Sequence, residues 1–258
     1  MTTTNARATA PHGYHTALHR QLVDIASAPY RQAGRFAHGF ARGKLWTDPL
    51  FIDLLRFGLL PAKGQFLDLG CGQAVFASWL LAAQQLAEAG QWPKDWPAAP
   101  RVEHLVGYEL MPSDVARGRQ ALAAWPQIDI RQANVITEPF PQSDAVTILD
   151  VLHYFDENAQ AAVLRKVREC LSPGGVLVIR VGDAGRGWRF ELSRRVDQAV
   201  TWVRGHGWSD LHCRPINAWV AALEQEGFSA EVIQSVGGPP FANTFVVGRL
   251  PATGTIAA

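Results

Sequence analysis

The sequence predicts an α/β fold, a doubly wound and mostly parallel sheet with helices on both faces. Three observations carry that prediction. In Gln65-Phe-Leu-Asp-Leu-Gly-Cys-Gly-Gln-Ala74 a short apolar run closes on Asp68 and passes Gly70 and Gly72. At Val75 it gives way to a helical spacing of Phe76, Trp79, Leu80 and Ala83, so the stretch reads as strand, tight turn and helix. Further on, the strand-like runs Val102–Gly107, Asp129–Gln132, Ala145–Leu149 and Val176–Val181 alternate with helical patterns. The run at 145–149 has the composition of a buried strand.

Glycines at a strand-to-helix turn let the backbone adopt angles barred to other residues and let a ligand approach the main chain. The helix start beyond adds unpaired N–H groups, so the turn is a ligand cradle. A dinucleotide fingerprint needs a third glycine where this chain has Val75, which weakens a hydride-transfer reading. With Asp68 two positions before a Gly70-x-Gly72 turn, the stretch resembles the first motif of class I S-adenosylmethionine (SAM) dependent methyltransferases. That resemblance implies a Rossmann-like sheet of seven strands with the last one antiparallel. It also implies SAM as cofactor, held by Asp68, Gly70, Cys71 and Gly72.

The 258 residues are 48% hydrophobic and 18% charged, a composition suited to one compact domain with or without a small appendage. No stretch approaches the roughly 20 apolar residues of a membrane span, and Met1–Ala10 lacks the apolar centre of a signal peptide, so a cytoplasmic protein without a membrane partner is expected. Cys71, Cys170 and Cys213 have no metal-type spacing. Charge is unevenly spread. Residues 1–64 hold eight basic and three acidic side chains, 65–179 eight and thirteen, and 180–214 seven and four. The cationic flanks could steer an anionic substrate, or they are solvated helix faces.

Residues 1–12 are polar and small, and disorder is expected there. Residues 13–64 are expected to form a helical cap or lid. Leu18, Leu22 and Ile25 mark a first helix that Pro29 ends, and Asp48 before Pro49 marks the start of another. Between them, Tyr30–Trp46 interleaves aromatic and basic residues with glycines and reads as a mobile cover. Its Phe36-Ala-His-Gly-Phe-Ala-Arg-Gly-Lys-Leu45 wording resembles methyltransferases encoded with aryl polyene pigment pathways. O-methylation of an aromatic hydroxyl would follow from that, with a carrier-protein-bound acid among the forms the acceptor could take.

The methyltransferase domain is expected over 65–250. Ala89–Arg101, rich in Trp and Pro, reads as a long loop. Glu109, at the tip of the second strand, is placed to accept hydrogen bonds from both ribose hydroxyls, and Leu110 follows it. Ser113 or Asp114 is expected to cap the next helix. Asn134, with Val135 beside it, occupies the place where the resembled family binds the adenine amino group. Asp150, at the end of Thr147-Ile-Leu-Asp-Val-Leu-His-Tyr-Phe155, would face the transferable methyl. A helix over 159–171 leading through Ser172-Pro-Gly-Gly175 into the fifth strand is again characteristic of these enzymes. An insertion at about 182–214, including a helix over 192–203, would cover the substrate, and 251–258 is tail.

Methyl transfer is an in-line displacement, so positioning and exclusion of water supply most of the catalysis. A hydroxyl acceptor also needs a base, and His153 is the candidate, with His38, His206 and His212 on the cover segments as alternatives. Phe36, Phe40, Tyr154 and Trp188 would contact a flat acceptor, with Arg42, Arg186 and Arg189 holding its anionic group. A Mg²⁺-assisted variant would use an Asp-Asn pair after the fifth strand, but Ala184 follows Asp183, so no metal is expected. Nucleic-acid modification is the competing class. It would show a continuous basic surface or an Asn/Asp-Pro-Pro-Tyr/Phe sequence where this chain has Asp150-Val-Leu-His, so no nucleic-acid partner is expected. A SAM-binding, non-catalytic member of a biosynthetic complex would share the cofactor residues, and turnover separates it from an enzyme. Oligomeric state is not indicated.

Overall fold

The computed structural model describes residues 16–182, 212, 214–234 and 243–252. Its strands are β1 (Lys63–Leu69), β2 (Arg101–Glu109), β3 (Ile128–Gln132), β4 (Ser143–Leu149), β5 (Leu171–Gly182), β6 (Ser229–Gln234) and β7 (Asn243–Arg249). They form one sheet in the order β3-β2-β1-β4-β5-β7-β6. The pairs β1/β2, β1/β4, β2/β3 and β4/β5 are parallel, and β7 runs antiparallel to both β5 and β6. This is the mostly parallel sheet with an antiparallel last strand that the sequence led us to expect. Helices α1 (Ala17–Ser27), α2 (Arg35–Thr47) and α3 (Leu50–Arg56) precede β1, while α4 (Val75–Glu88), α5 (Pro112–Ala121), α6 (Glu157–Cys170) and α7 (Ile216–Gln225) lie between later strands.

Side chains alternate across a strand, and that alternation builds two cores. Phe66, Leu105, Ala145 and Val178 face one core with residues of α1 to α5, while Leu67, Val106, Val146 and Ile179 face the other with α6 and α7.

The segment 30–46 is not a cover without regular structure. Arg35–Thr47 is helix, and Ala37, Ala41 and Leu45, spaced by four, are fully buried on one side of it. Gly39 and Gly43 each cost about 1 kcal/mol of helix propensity, a penalty that burial of this stripe outweighs. The helices before β1 are also tied to α4. Ser78 Oγ donates to the Ala26 carbonyl (2.7 Å) and Trp79 Nε1 to that of Phe51 (2.8 Å). His19 Nε2 lies 3.0 Å from the Leu45 carbonyl, and its ring stacks on Trp46, which fastens α1 to α2.

Two end signals also resolve differently. Neither Ser113 nor Asp114 caps α5, which starts one residue earlier at Pro112 after Met111, because a proline fits the first helical position without needing a donor. Ser172–Gly175 is not a turn ahead of β5 but an irregularity within its pairing, between Ser143↔Leu171 and Ala145↔Val176. The expected helix over 192–203 and residues 1–12 lie outside the described residues. No described helix is long and apolar enough to cross a membrane.

Candidate active site

The turn after β1 is held open by its backbone. The Gly70 and Cys71 N–H groups donate to the Tyr108 carbonyl at 2.8 and 3.0 Å. Gly70 sits at φ +80°, and a Cβ there would lie 2.1 Å from Val151 Cγ2, so only glycine fits. Gly72, at φ +55°, has nothing within 4 Å of where a Cβ would be, and this is the open side of the cradle. Tyr30 Oη donates to the Gln73 carbonyl (2.8 Å) and Gln73 Nε2 to Asp114 Oδ1 (3.1 Å), bracing the turn from α5 and from the segment before α2. Cys71 points its sulfur at Gly107, where a Cβ would come within 2.8 Å of Sγ. Burial pushes its thiol pKa up, so Cys71 can serve a ligand through its backbone rather than as a thiolate.

Two carboxylates face this turn. Glu109 accepts from the Gly72 N–H (2.8 Å, Oε2) and from the Met111 N–H (2.9 Å, Oε1). A carboxylate has about four lone-pair sites, so two remain for the ribose hydroxyls. Burial raises the pKa of Glu109 against those hydrogen bonds, and neighbouring Asp114 adds to the rise. Asp68 is 2% exposed and accepts from Thr147 Oγ1 at 2.8 Å. Burial pushes Asp68 up to about 7, opposed by the Thr147 hydrogen bond and reinforced by Glu109. Two crowded acids of this kind suit a cationic ligand.

The rim beyond β2 and β3 carries Leu110 and Ile136, two exposed apolar side chains. Beside Ile136, Asn134 is exposed, with Oδ1 accepting from the Ile136 N–H at 2.9 Å and one lone pair left for a donor. Val135 is buried beneath.

At the end of β4, Asp150 adopts φ +63°, a left-handed conformation uncommon for a residue with a side chain. Its Oδ1 lies 2.9 Å from Arg180 Nε and its Oδ2 3.7 Å from Lys44 Nζ. Arg180 Nη1 and Lys44 Nζ also meet Asp48 Oδ2 at 2.5 and 2.7 Å. Burial of Asp48 opposes ionisation, but Arg180 and Lys44 outweigh it and hold the carboxyl well below the usual range. Asp48, expected as the N-cap of α3, is instead the C-cap of α2, and Pro49 holds the N-cap position; Asp48 Oδ1 accepts from the Leu50 N–H (3.1 Å), while Oδ2 joins α2 to β5.

The turn that follows, Leu152–Tyr154, carries His153, half-buried and tilted against the Tyr154 ring at 4.2 Å. Burial lowers its pKa to about 4, with Arg180 adding to the fall and Asp150 opposing it. The imidazole is therefore neutral at physiological pH and free to accept a proton, which at this pKa it holds more weakly than a histidine in water does. Gln160, fully buried, holds this turn through Nε2 contacts with the carbonyls of Leu152, Phe155 and His212.

Along α2, Phe36, Phe40 and Lys44 share one flank at four-residue spacing. That flank reaches Arg117 of α5, which lies 4.8 Å from the Phe36 ring, and Asp150 at the end of β4. Phe36 is 65% exposed and stacks on Phe40. Arg42 is on the opposite flank, paired with Asp24 beside Arg20 and Trp46, so helix geometry removes it from this set. Arg186, Trp188, Arg189 and His206 lie outside the described residues. Sequence reading missed Tyr30, Lys44, Thr147, Gln160 and Arg180 as site residues. Only Arg180, a charge inside an apolar strand run, carried a visible signal.

The methyltransferase domain family matches residues 67–177, from β1 into β5. The tetracenomycin polyketide synthesis 8-O-methyl transferase TcmO of Streptomyces glaucescens is 24% identical over 135 residues, 51% of this chain and 37% of that protein. The match thus spans little more than a third of that relative's length. An O-methyltransferase family protein from Burkholderia thailandensis superposes with a TM-score of 0.55 at 17% identity, over 87% of this chain and 63% of that one. The N-methyltransferase NodS from Bradyrhizobium japonicum, solved with S-adenosyl-L-homocysteine, gives 0.54 at 17%, over 88% and 99%. At such identities the structural likeness is one of fold, and it spans both O- and N-methyltransferases. With the Asp68–Gly70–Gly72 turn and Glu109, the chain is thus similar to the class I SAM-dependent methyltransferases over the region from β1 into β5.

Proposed function

We propose that the chain binds SAM across the Gly70/Gly72 turn and directs its methyl group to the oxygen of a small aromatic or carboxylate-bearing acceptor of secondary metabolism. The observation that carries the cofactor half is the pair of acids, Asp68 and Glu109, beside the open side of Gly72. Bound SAM would supply an electrophilic methyl on a cationic sulfur. Asp68 and Glu109 offset positive charge, Glu109 orients the ribose, and Leu110 and Ile136 with Asn134 form the adenine rim. Phe36 and Phe40 offer a flat apolar wall to the acceptor, and neutral His153 takes the hydroxyl proton.

Glu109→Ala is expected to weaken SAM binding by about 1.5–3 kcal/mol, roughly ten- to over a hundredfold. Calorimetry checks this, and unchanged affinity removes Glu109 from the site. A second expectation follows from Asp68. Its carboxyl is still protonated below about pH 7, whereas a cationic ligand favours the ionised form. SAM binding should therefore release a proton and tighten as pH rises from about 5.5 to 7, a window below the ligand's own amine titration. Calorimetry at pH 6 in buffers of different ionisation enthalpy reads the proton directly; no release would mean that Asp68 does not sense the ligand's charge. Folding has the opposite dependence. The unfolded carboxyl ionises near 3.8, so this group's contribution to stability falls as pH rises from about 4 to 7.

The acceptor half is tested by turnover with hydroxybenzoic acids and their methyl esters, and by mass spectrometry of metabolites made with and without the protein. Preference for the esters would remove the anionic-acceptor reading. No turnover of any acceptor, with SAM bound, would favour a non-catalytic role.

A further inference from the structure

We infer that Lys166, on α6 and away from the turn that holds the cofactor, is a positioning residue that shapes the adenine rim. Its ammonium lies 2.8, 3.1 and 2.6 Å from the carbonyl oxygens of Val135, Ile136 and Glu138, all in the loop between β3 and β4. The ring of Phe140, from the same loop, is centred 4.1 Å from Nζ. An ammonium has three N–H donors, so one side chain satisfies three carbonyls of one short segment.

The rest of the loop is closed in the same way. The Asn134 carbonyl accepts from the N–H groups of Thr137 and Glu138, and the Pro139 carbonyl accepts from Tyr108 Oη at 2.7 Å. Carbonyls gathered round one cation repel one another once it is removed, and the segment must turn some of them back to water. That segment carries Asn134, with its Oδ1 held by the Ile136 N–H, together with Val135 and Ile136. Lys166 therefore sets the orientation of Asn134 without touching a ligand. This rests on the cofactor reading, in which Asn134 accepts from the adenine amino group.

The test compares S-adenosylhomocysteine with S-inosylhomocysteine, which has a carbonyl in place of the 6-amino group, by calorimetry on the full chain. The unmodified protein should prefer the adenosyl ligand. Lys166→Met keeps the apolar stem and removes the donors, and it should weaken that ligand about tenfold while changing the inosyl ligand less than twofold. Lys166→Gln keeps two N–H groups and should fall between, and it carries the test if the Met variant does not fold. A merely structural role would weaken both ligands equally. That outcome, unchanged affinity in both variants, or an unmodified protein that binds both ligands alike would overturn the inference. Failure of the unmodified protein to bind either ligand would instead strike the cofactor reading.

Discussion

His153→Ala is expected to lower turnover by about 10²–10⁴-fold, the usual worth of a positioned general base, while leaving SAM affinity near normal. The residue sits in the turn just beyond β4, close to Asp150 and Arg180, and it is not among the groups that meet Glu109, so its loss is expected to fall on the acceptor and not on the cofactor's ribose. Its pH signature is unusual. A histidine in water would cut off activity below about pH 6.5, but burial and Arg180 lower His153 to about 4. The acid limb of kcat/KM for the acceptor, taken at saturating SAM, should therefore lie near pH 4. Arg180→Met should move that limb upward by removing a cation from beside the ring, and Asp150→Asn should move it further down. A loss of less than about threefold in His153→Ala would assign the residue to packing, whatever the profile.

Arg180→Met should also cost the largest amount of stability among the substitutions considered. The guanidinium is 15% exposed and joins Asp48, whose side chain is 8% exposed, to Asp150. Removing one partner of a buried ion pair leaves the other uncompensated, typically at about 3–5 kcal/mol. Lys44 remains on Asp48 at 2.7 Å, which places the expected loss near the lower end. Urea unfolding reads it, and the double variant Arg180→Met/Asp48→Asn should recover part of the loss, because the neutral amide no longer carries an unpaired charge. A loss of under 1 kcal/mol would show that the network is relaxed by solvent and is not what holds α2 to β5.

The cofactor cradle could be read from the sequence because its parts are local. Asp68, Gly70 and Gly72 lie within five residues, and the apolar run before them and the helical period after them mark the turn as strand to helix. Glu109 was legible for a related reason, since a strand tip in a βαβ unit has a fixed place relative to the first turn. The alternation of apolar runs and helical periods likewise sufficed for the sheet, because side-chain period is a property of the chain itself. The helix over Arg35–Thr47 was not legible, since its two glycines speak against a helix and the stripe of Ala37, Ala41 and Leu45 stabilises one only when a core is there to receive it.

The polar network at the other end of the site was beyond the sequence for a different reason. Arg180 and Asp48 are 132 residues apart, and nothing in either neighbourhood names its partner. The same holds for Tyr30 and the Gln73 carbonyl, and for Lys166 with the loop it holds. By itself the sequence determined the fold class, the strand-to-helix turn at Gly70 and Gly72 and the acid at the end of the second strand, all of which show in the local pattern of residues. Only the tertiary structure decided which charges meet, that Arg42 faces away from Phe40, and that His153 is a neutral imidazole, because burial and pairing depend on what distant segments bring to the same place.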